Sequence, residues 1–196
     1  MEKTIVLIDA GFLSKLSRYL GKGKYLTYDL IDLSKNLANK QGLSCEHIYY
    51  YTAPPFQSDK PTKEDSKRYK KYEKFRNNLS KNKIITIREG RCQRLKIEGK
   101  FEYGQKGVDA LAIIDLMSVP LEHKEAKKII LIANDSDFVP VVEKLKQFGI
   151  EVILYTHYSK NRESSFSRSN ELLKTVSRYV QLTKEDFDEV PLDKNR

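Results

Sequence analysis

Five aspartates stand at or just beyond the ends of apolar runs, or on the helix after one. They are Asp9 in TIVLIDAGFL, Asp109 and Asp115 in KGVDALAIIDLM, and Asp135 and Asp137 in IILIANDSDF. An apolar run that stops at a carboxylate places a buried strand inside the sheet and the acid at its rim. Two carboxylates about 5 Å apart repel by roughly 3 kcal/mol at an effective dielectric of 20, so without a cation one of them takes up a proton. Mg²⁺ or Mn²⁺ removes that repulsion, since hard divalent ions take oxygen ligands and retain several waters. The matching chemistry is phosphodiester hydrolysis, with water activated by the metal and charge on the phosphoryl oxygens offset by it. Taken singly, Asp9 or Asp135 is more often a helix cap or turn residue than a ligand.

The elements that must position these acids follow from periodicity. Apolar runs at Ile5 to Ile8, His47 to Thr52, Ile84 to Ile87, Ile129 to Ala133 and Glu151 to Tyr155 read as strands, with Tyr179 to Leu182 a further edge candidate. Helical spacing predicts helices over Phe12 to Leu20, Tyr28 to Lys40, Thr62 to Ser80, Lys106 to Met117, Phe138 to Phe148 and Glu171 to Val176. The Lys106 to Met117 helix is expected to turn Val108, Leu111, Ala112 and Ile114 inward, and Arg91 to Tyr103, turning at Glu98 and Gly99, reads as a hairpin. His157 to Ser169 is polar, and the chain is expected to divide into a domain over 1–183 and a polar tail over 184–196. Strands alternating with helices imply right-handed crossovers and a mainly parallel α/β sheet of about five strands, covered on both faces.

The chain has 196 residues and 22.8 kDa, which fits one domain able to bury roughly 70% of its unfolded surface. No apolar run approaches the ~20 residues of a membrane span, which argues against a membrane partner, and the Met-Glu-Lys start lacks a signal peptide's apolar core. Cys45 and Cys92 form no CxxC, so reduced thiols and a cytoplasmic location are expected; the three histidines show no metal-ligand spacing. The net charge of +9 favours a polyanionic partner. From Lys60 to Lys83 ten Lys and Arg face Glu64, Asp65 and Glu73, a local balance of +7 in which Lys67, Lys70 and Lys74 are candidate phosphate contacts. Such a run is usually a solvated helix face, and nucleic acid is put ahead here only because the basic band accompanies an acidic cluster; the stripe Tyr69, Tyr72, Phe75, Leu79 is expected to face the core rather than stack on bases.

Three stretches, IDAGFL, KGVDALAIIDL and LIANDSDFVPVVEKLKQFGIEV, carry a resemblance to the NYN family, the LabA-like branch of PIN-like ribonucleases; SNELLKTVSRYVQL resembles its closing helix and strand. The likeness spans most of the chain and is weakest over 54–103. It implies a PIN-like three-layer sandwich in which acids bind Mg²⁺ or Mn²⁺ and cut RNA, with single-stranded RNA as substrate. On this chain the resemblance assigns catalysis and metal binding to Asp9, Asp109, Asp135 and Asp137. Asp115 lies six residues after Asp109, about 120° around an ideal helix from it, and takes a supporting place. Ser136 is expected to orient a carboxylate or cap the helix, and Asn134 departs from the family's usual Gly or Ser. Lys106 reads either as a phosphate contact or as an exposed helix start, while Arg88, Arg91 and Arg94 extend an RNA track without reading bases. The rival readings are an NYN-fold RNA-binding or adaptor protein with weak or no catalysis, and a phosphoryl-transfer enzyme, against which the absence of GxxxxGK[ST] and DxDxT motifs counts. Oligomeric state is left open, a homodimer included.

Overall fold

Continuous apolar runs form the centre of the sheet. The computed structural model describes residues 1–159, 166 and 169–192. Strands β1 (Glu2–Asp9), β2 (Leu43–Thr52), β3 (Ile85–Glu89), β6 (Lys128–Ile132), β7 (Glu151–Thr156) and β8 (Arg178–Gln181) make one six-stranded sheet, ordered β3-β2-β1-β6-β7-β8. Every pairing in it is parallel. The sheet has six strands rather than about five, because the segment from Arg178 pairs with β7 as a full edge strand. Ile5, Val6, Leu7 and Ile8 are all fully buried, as a strand covered on both faces requires.

Helices α1 (Ala10–Leu20) and α2 (Leu30–Asn39) cover one face, where Val6, Ile8, Ile130 and Ile132 meet Leu13, Leu16, Leu33 and Leu37. Helices α4 (Val108–Glu122), α5 (Val139–Gln147) and α6 (Asn170–Thr175) cover the other, over Ile5, Leu7, Ile129 and Leu131. The chain winds outward from β1 to β3 in one direction and from β6 to β8 in the other. The reversal falls between the neighbours β1 and β6, the place in an open parallel sheet where a crevice opens at the strands' carboxyl ends.

Several expectations are corrected. The region from 184 is not all tail: α7 (Lys184–Asp188) packs Phe187, and beyond it Val190, into the α1/α2 side of the core. The hairpin is longer than expected, β4 (Arg91–Ile97) pairing antiparallel with β5 (Lys100–Lys106), so Lys106 ends a strand instead of starting a helix. Gly107, at φ 80°, then turns the chain into α4, a backbone state a side chain would strain. Ile114 is 60% exposed, because the inward side of that turn of α4 is occupied by Asp115. Helix α3 (Lys63–Leu79) buries no residue fully, so its stripe meets the core only in part: Leu79 packs half-buried against the α1/α2 side of the core and Phe75 stands edge-on to Tyr50. The polar segment expected from His157 to Ser169 falls largely on 160–165 and 167–168, outside the described residues. Among the described residues no helix is long and apolar enough to cross a membrane.

Candidate active site

Asp9 is the last residue of β1 and the N-cap of α1. Its Oδ1 accepts hydrogen bonds from the backbone N–H groups of Gly11 at 2.8 Å and Phe12 at 3.2 Å. Asp135 follows β6, the strand paired with β1, and its Oδ1 accepts from Asp137 N–H at 3.0 Å, capping the short 3-10 turn Ser136–Phe138 that leads into α5. The cap is therefore Asp135 and not Ser136. Asp109 lies in the first turn of α4, which starts at Gly107 without a side-chain cap. Asp9 and Asp135 so have a local structural use as caps, and Asp109 lies in a first helical turn, where the helix's partial positive charge favours an acid.

Electrostatics separates this rim from a set of independent helix caps. Burial pushes the Asp9 carboxyl up to about 6, and the charges of Asp109 and Asp135 add to the rise against the two hydrogen bonds that lower it. Asp109 is raised too, by burial first and then by Asp135 and Asp137. The four carboxylates of DAGF, GVDA and NDSD thus share one field. Asp135 and Asp137 are exposed and Asp9 and Asp109 half-buried, so the cluster opens to solvent. Among the described residues no group of three or more His, Cys, Asp or Glu side chains is placed to hold a metal ion. The rim is an open arc of hard oxygen donors, without the nitrogen or sulfur ligands that would select a softer ion.

The remaining expected site residues fall in different places. Asp115 is 8% exposed and bound on both oxygens: Oδ2 accepts from Tyr51 Oη at 3.1 Å and Arg88 Nε at 2.9 Å, and Oδ1 from Arg88 Nη2 at 3.0 Å. Arg88 is accordingly half of an ion pair and not a free member of an RNA track. Asn134 turns toward β7, its Oδ1 accepting from Thr156 Oγ1 at 3.0 Å. Arg91 and Lys106 face each other across the first rung of the hairpin, both exposed, and Arg94 sits over the rings of Phe56 and Phe101 at 4.7 and 4.4 Å. Lys67, Lys70 and Lys74 are all exposed on α3.

One neighbour of the rim escaped the sequence reading. Gln105 in β5 approaches the same glycine as Asp9: a Cβ added to Gly11 would lie 3.1 Å from Asp9 Oδ1 and 3.3 Å from Gln105 Oε1, so both groups flank the space that the small residue leaves open. The signal was alternation, since the register Cys92↔Gln105, Arg94↔Tyr103, Lys96↔Phe101 puts Gln105 on the face opposite Lys106. Ending the hairpin at Tyr103 hid it.

A family model described as NYN domain matches residues 3–182, nearly the whole chain. A comparison with curated proteins found no significant match. Among solved structures, a crystal structure of a protein of unknown function from Vibrio parahaemolyticus shares the fold with a TM-score of 0.58 at 16% identity, over 95% of this chain and 96% of that one.

Proposed function

Because this chain belongs to the NYN-domain family, and with it to the PIN-like superfamily, we propose that it is a metal-dependent ribonuclease that hydrolyses phosphodiester bonds of single-stranded RNA. The observation that carries this reading is the shared field of Asp9, Asp109, Asp135 and Asp137 at the point where the sheet reverses direction. A protein that needed only helix caps has no reason to gather carboxylates until burial and mutual repulsion raise one of them to about 6. The donor set is all carboxylate and opens to solvent, which fits Mg²⁺ or Mn²⁺ better than zinc.

The carboxylates are not already placed as a ligand set, and an ion would have to draw Asp9, Asp109 and Asp135 toward it, with the exposed Asp137 beside them. A bound ion supplies a lowered pKa for the attacking water and offsets charge on the phosphoryl oxygens. The backbone N–H groups of Gly11 and Phe12 fix the Asp9 carboxylate, so its orientation costs no rearrangement. Arg91 and Lys106 are like charges directly opposite on a hairpin, a pairing that is unfavourable alone and becomes favourable with a phosphate between them.

The test is cleavage of an end-labelled single-stranded RNA. Cutting should require Mg²⁺ or Mn²⁺, stop in EDTA, and fall by roughly 100-fold or more in Asp135→Asn. Equal cleavage by both proteins would remove the assignment. The lack of a ready three-ligand set among the described residues favours, as second reading, an RNA-binding NYN protein that does not cut; RNA bound by wild type but intact with either ion would establish it.

A further inference from the structure

A cleft of about 730 Å³ runs from the acidic rim along the solvent side of α1, and its position was not foreseen by any charge run. It begins at Gly11 and Gln105, beside Asp9, and ends at Lys22 and Tyr25 in the loop after α1. Gly11, Ser14, Lys15 and Arg18 recur at helical spacing on this side, with Lys22 in the loop beyond, while Phe12, Leu13 and Leu16 point into the core. One helix therefore carries the capped carboxylate at its start and a stripe of cations leading away from it. From Ala10 to Leu20 the stripe spans roughly 16 Å at 1.5 Å per residue, longer than a single phosphate contact needs.

The lining is cationic and aromatic, with no Asp or Glu among the described residues that form it. Arg18 donates from Nε to Gly23 O at 3.3 Å, and among the described residues neither it nor Lys22 makes an ion pair. Lys15 sits 5.1 Å from the centre of the Phe166 ring. Tyr25 is 64% and Tyr19 45% exposed, high for aromatic side chains, and both line the cleft. A cation at a helix C-terminus is explained by the helix dipole, which accounts for Arg18. It does not account for Lys15, mid-way along the helix, or for an exposed Tyr25 around the same concavity.

We propose that this cleft is the track of the RNA strand on one side of the cutting point, with phosphates on Lys15, Arg18 and Lys22 and an unstacked base on Tyr25. The inference rests on the ribonuclease reading for its direction, since the track is continuous with the Asp9 rim. A single strand fits because its bases are free to stack on tyrosine, whereas those of a duplex are already stacked.

Binding is measured in EDTA, where the strand is not cut, by anisotropy of a fluorescent single-stranded RNA across a salt series. Arg18→Glu with Lys22→Glu should weaken binding more than tenfold and flatten the slope of log affinity against log salt by about 1.4, two contacts at ~0.7 each. Tyr25→Ala, which disturbs no helix residue, should cost about tenfold with the slope unchanged. Lys22→Arg should bind as wild type. Wild-type affinity in both the charge-reversed protein and Tyr25→Ala overturns the track while leaving the nuclease reading intact. The predicted losses in a protein that never cuts RNA with Mn²⁺ keep the track and remove the nuclease reading, and a wild type that binds no RNA in EDTA and cuts none with Mn²⁺ removes both.

Discussion

Two aspartates on one helix have opposite surroundings. Asp115, mid-way along α4, meets a guanidinium and a tyrosine hydroxyl that use both its oxygens. Asp109, six residues earlier at the helix start, meets other carboxylates, and burial and their charge raise it. The first environment compensates a charge fully, which holds β2, β3 and α4 together. The second leaves charge uncompensated by protein groups, which is unfavourable for folding and useful only if a cation completes it. The contrast separates a structural acid from a candidate catalytic one more sharply than burial does.

Removing the compensated acid should have the larger effect on stability. In Asp115→Ala the hydroxyl of Tyr51, 1% exposed, loses its acceptor, and the Arg88 guanidinium loses a two-pronged partner. Because the Arg88 side chain is 42% exposed, it turns to water and the full penalty of a stranded buried charge is not reached. The expected loss is about 2–3 kcal/mol, read from the urea midpoint. A loss under about 0.5 kcal/mol would put the pair in the class of surface ion pairs and erase the contrast with Asp109.

Removing an uncompensated acid should do the reverse. The Asp9 carboxyl stands at about 6 in the folded protein against an ordinary 3.8, so the folded state binds the proton more tightly than the unfolded one. Folding stability then falls as pH rises from about 4 to about 6, and the deficit persists above that. Asn keeps an oxygen to cap α1, so Asp9→Asn should melt higher than wild type at pH 7.5 in EDTA, by about 2 kcal/mol, with the gap closing below pH 4. In Mn²⁺ the order should reverse, since only wild type gains from the ion. A variant less stable than wild type at every pH would mean that the Gly11 and Phe12 hydrogen bonds outweigh the repulsion.

The sheet was legible because apolar runs of fixed length are local signals, and Asp9 and Asp135 stand where two such runs end, whereas Asp109 follows the exposed, polar strand β5. Angular bookkeeping on one helix also separated Asp115 from Asp109. The partner of Asp115 was not legible, since Arg88 comes from β3, across the hairpin in sequence, and no residue near Arg88 in the chain signals that its charge is already paired. The inward face of α4 was misjudged at Ile114 for the same reason, as an apolar helix with a buried ion pair gives no clean stripe. The cleft along α1 was invisible because its cations lie three and four residues apart and never form a run, unlike the dense run on α3.

That last difference can itself be measured. Helix α3 is capped by Thr62 and Asp65 in a reciprocal box, but its lysines project into water from a helix with no buried residue. It touches the body through Leu79 on the core, Phe75 on Tyr50, and Tyr72 and Arg76 on Glu89. Charges so placed attract a polyanion at long range and hold no phosphate in a fixed position, and their reach is screened beyond ~8 Å at physiological salt. Charge reversal at Lys67, Lys70 and Lys74 should therefore weaken RNA binding by no more than about fivefold at low salt and by almost nothing at roughly 0.3 M. Reversal of only two cations on α1 should cost more than these three. If the α3 variant loses as much as the α1 variant at both salt concentrations, the strand crosses α3 in close contact, and the density of a charge run was the better guide after all.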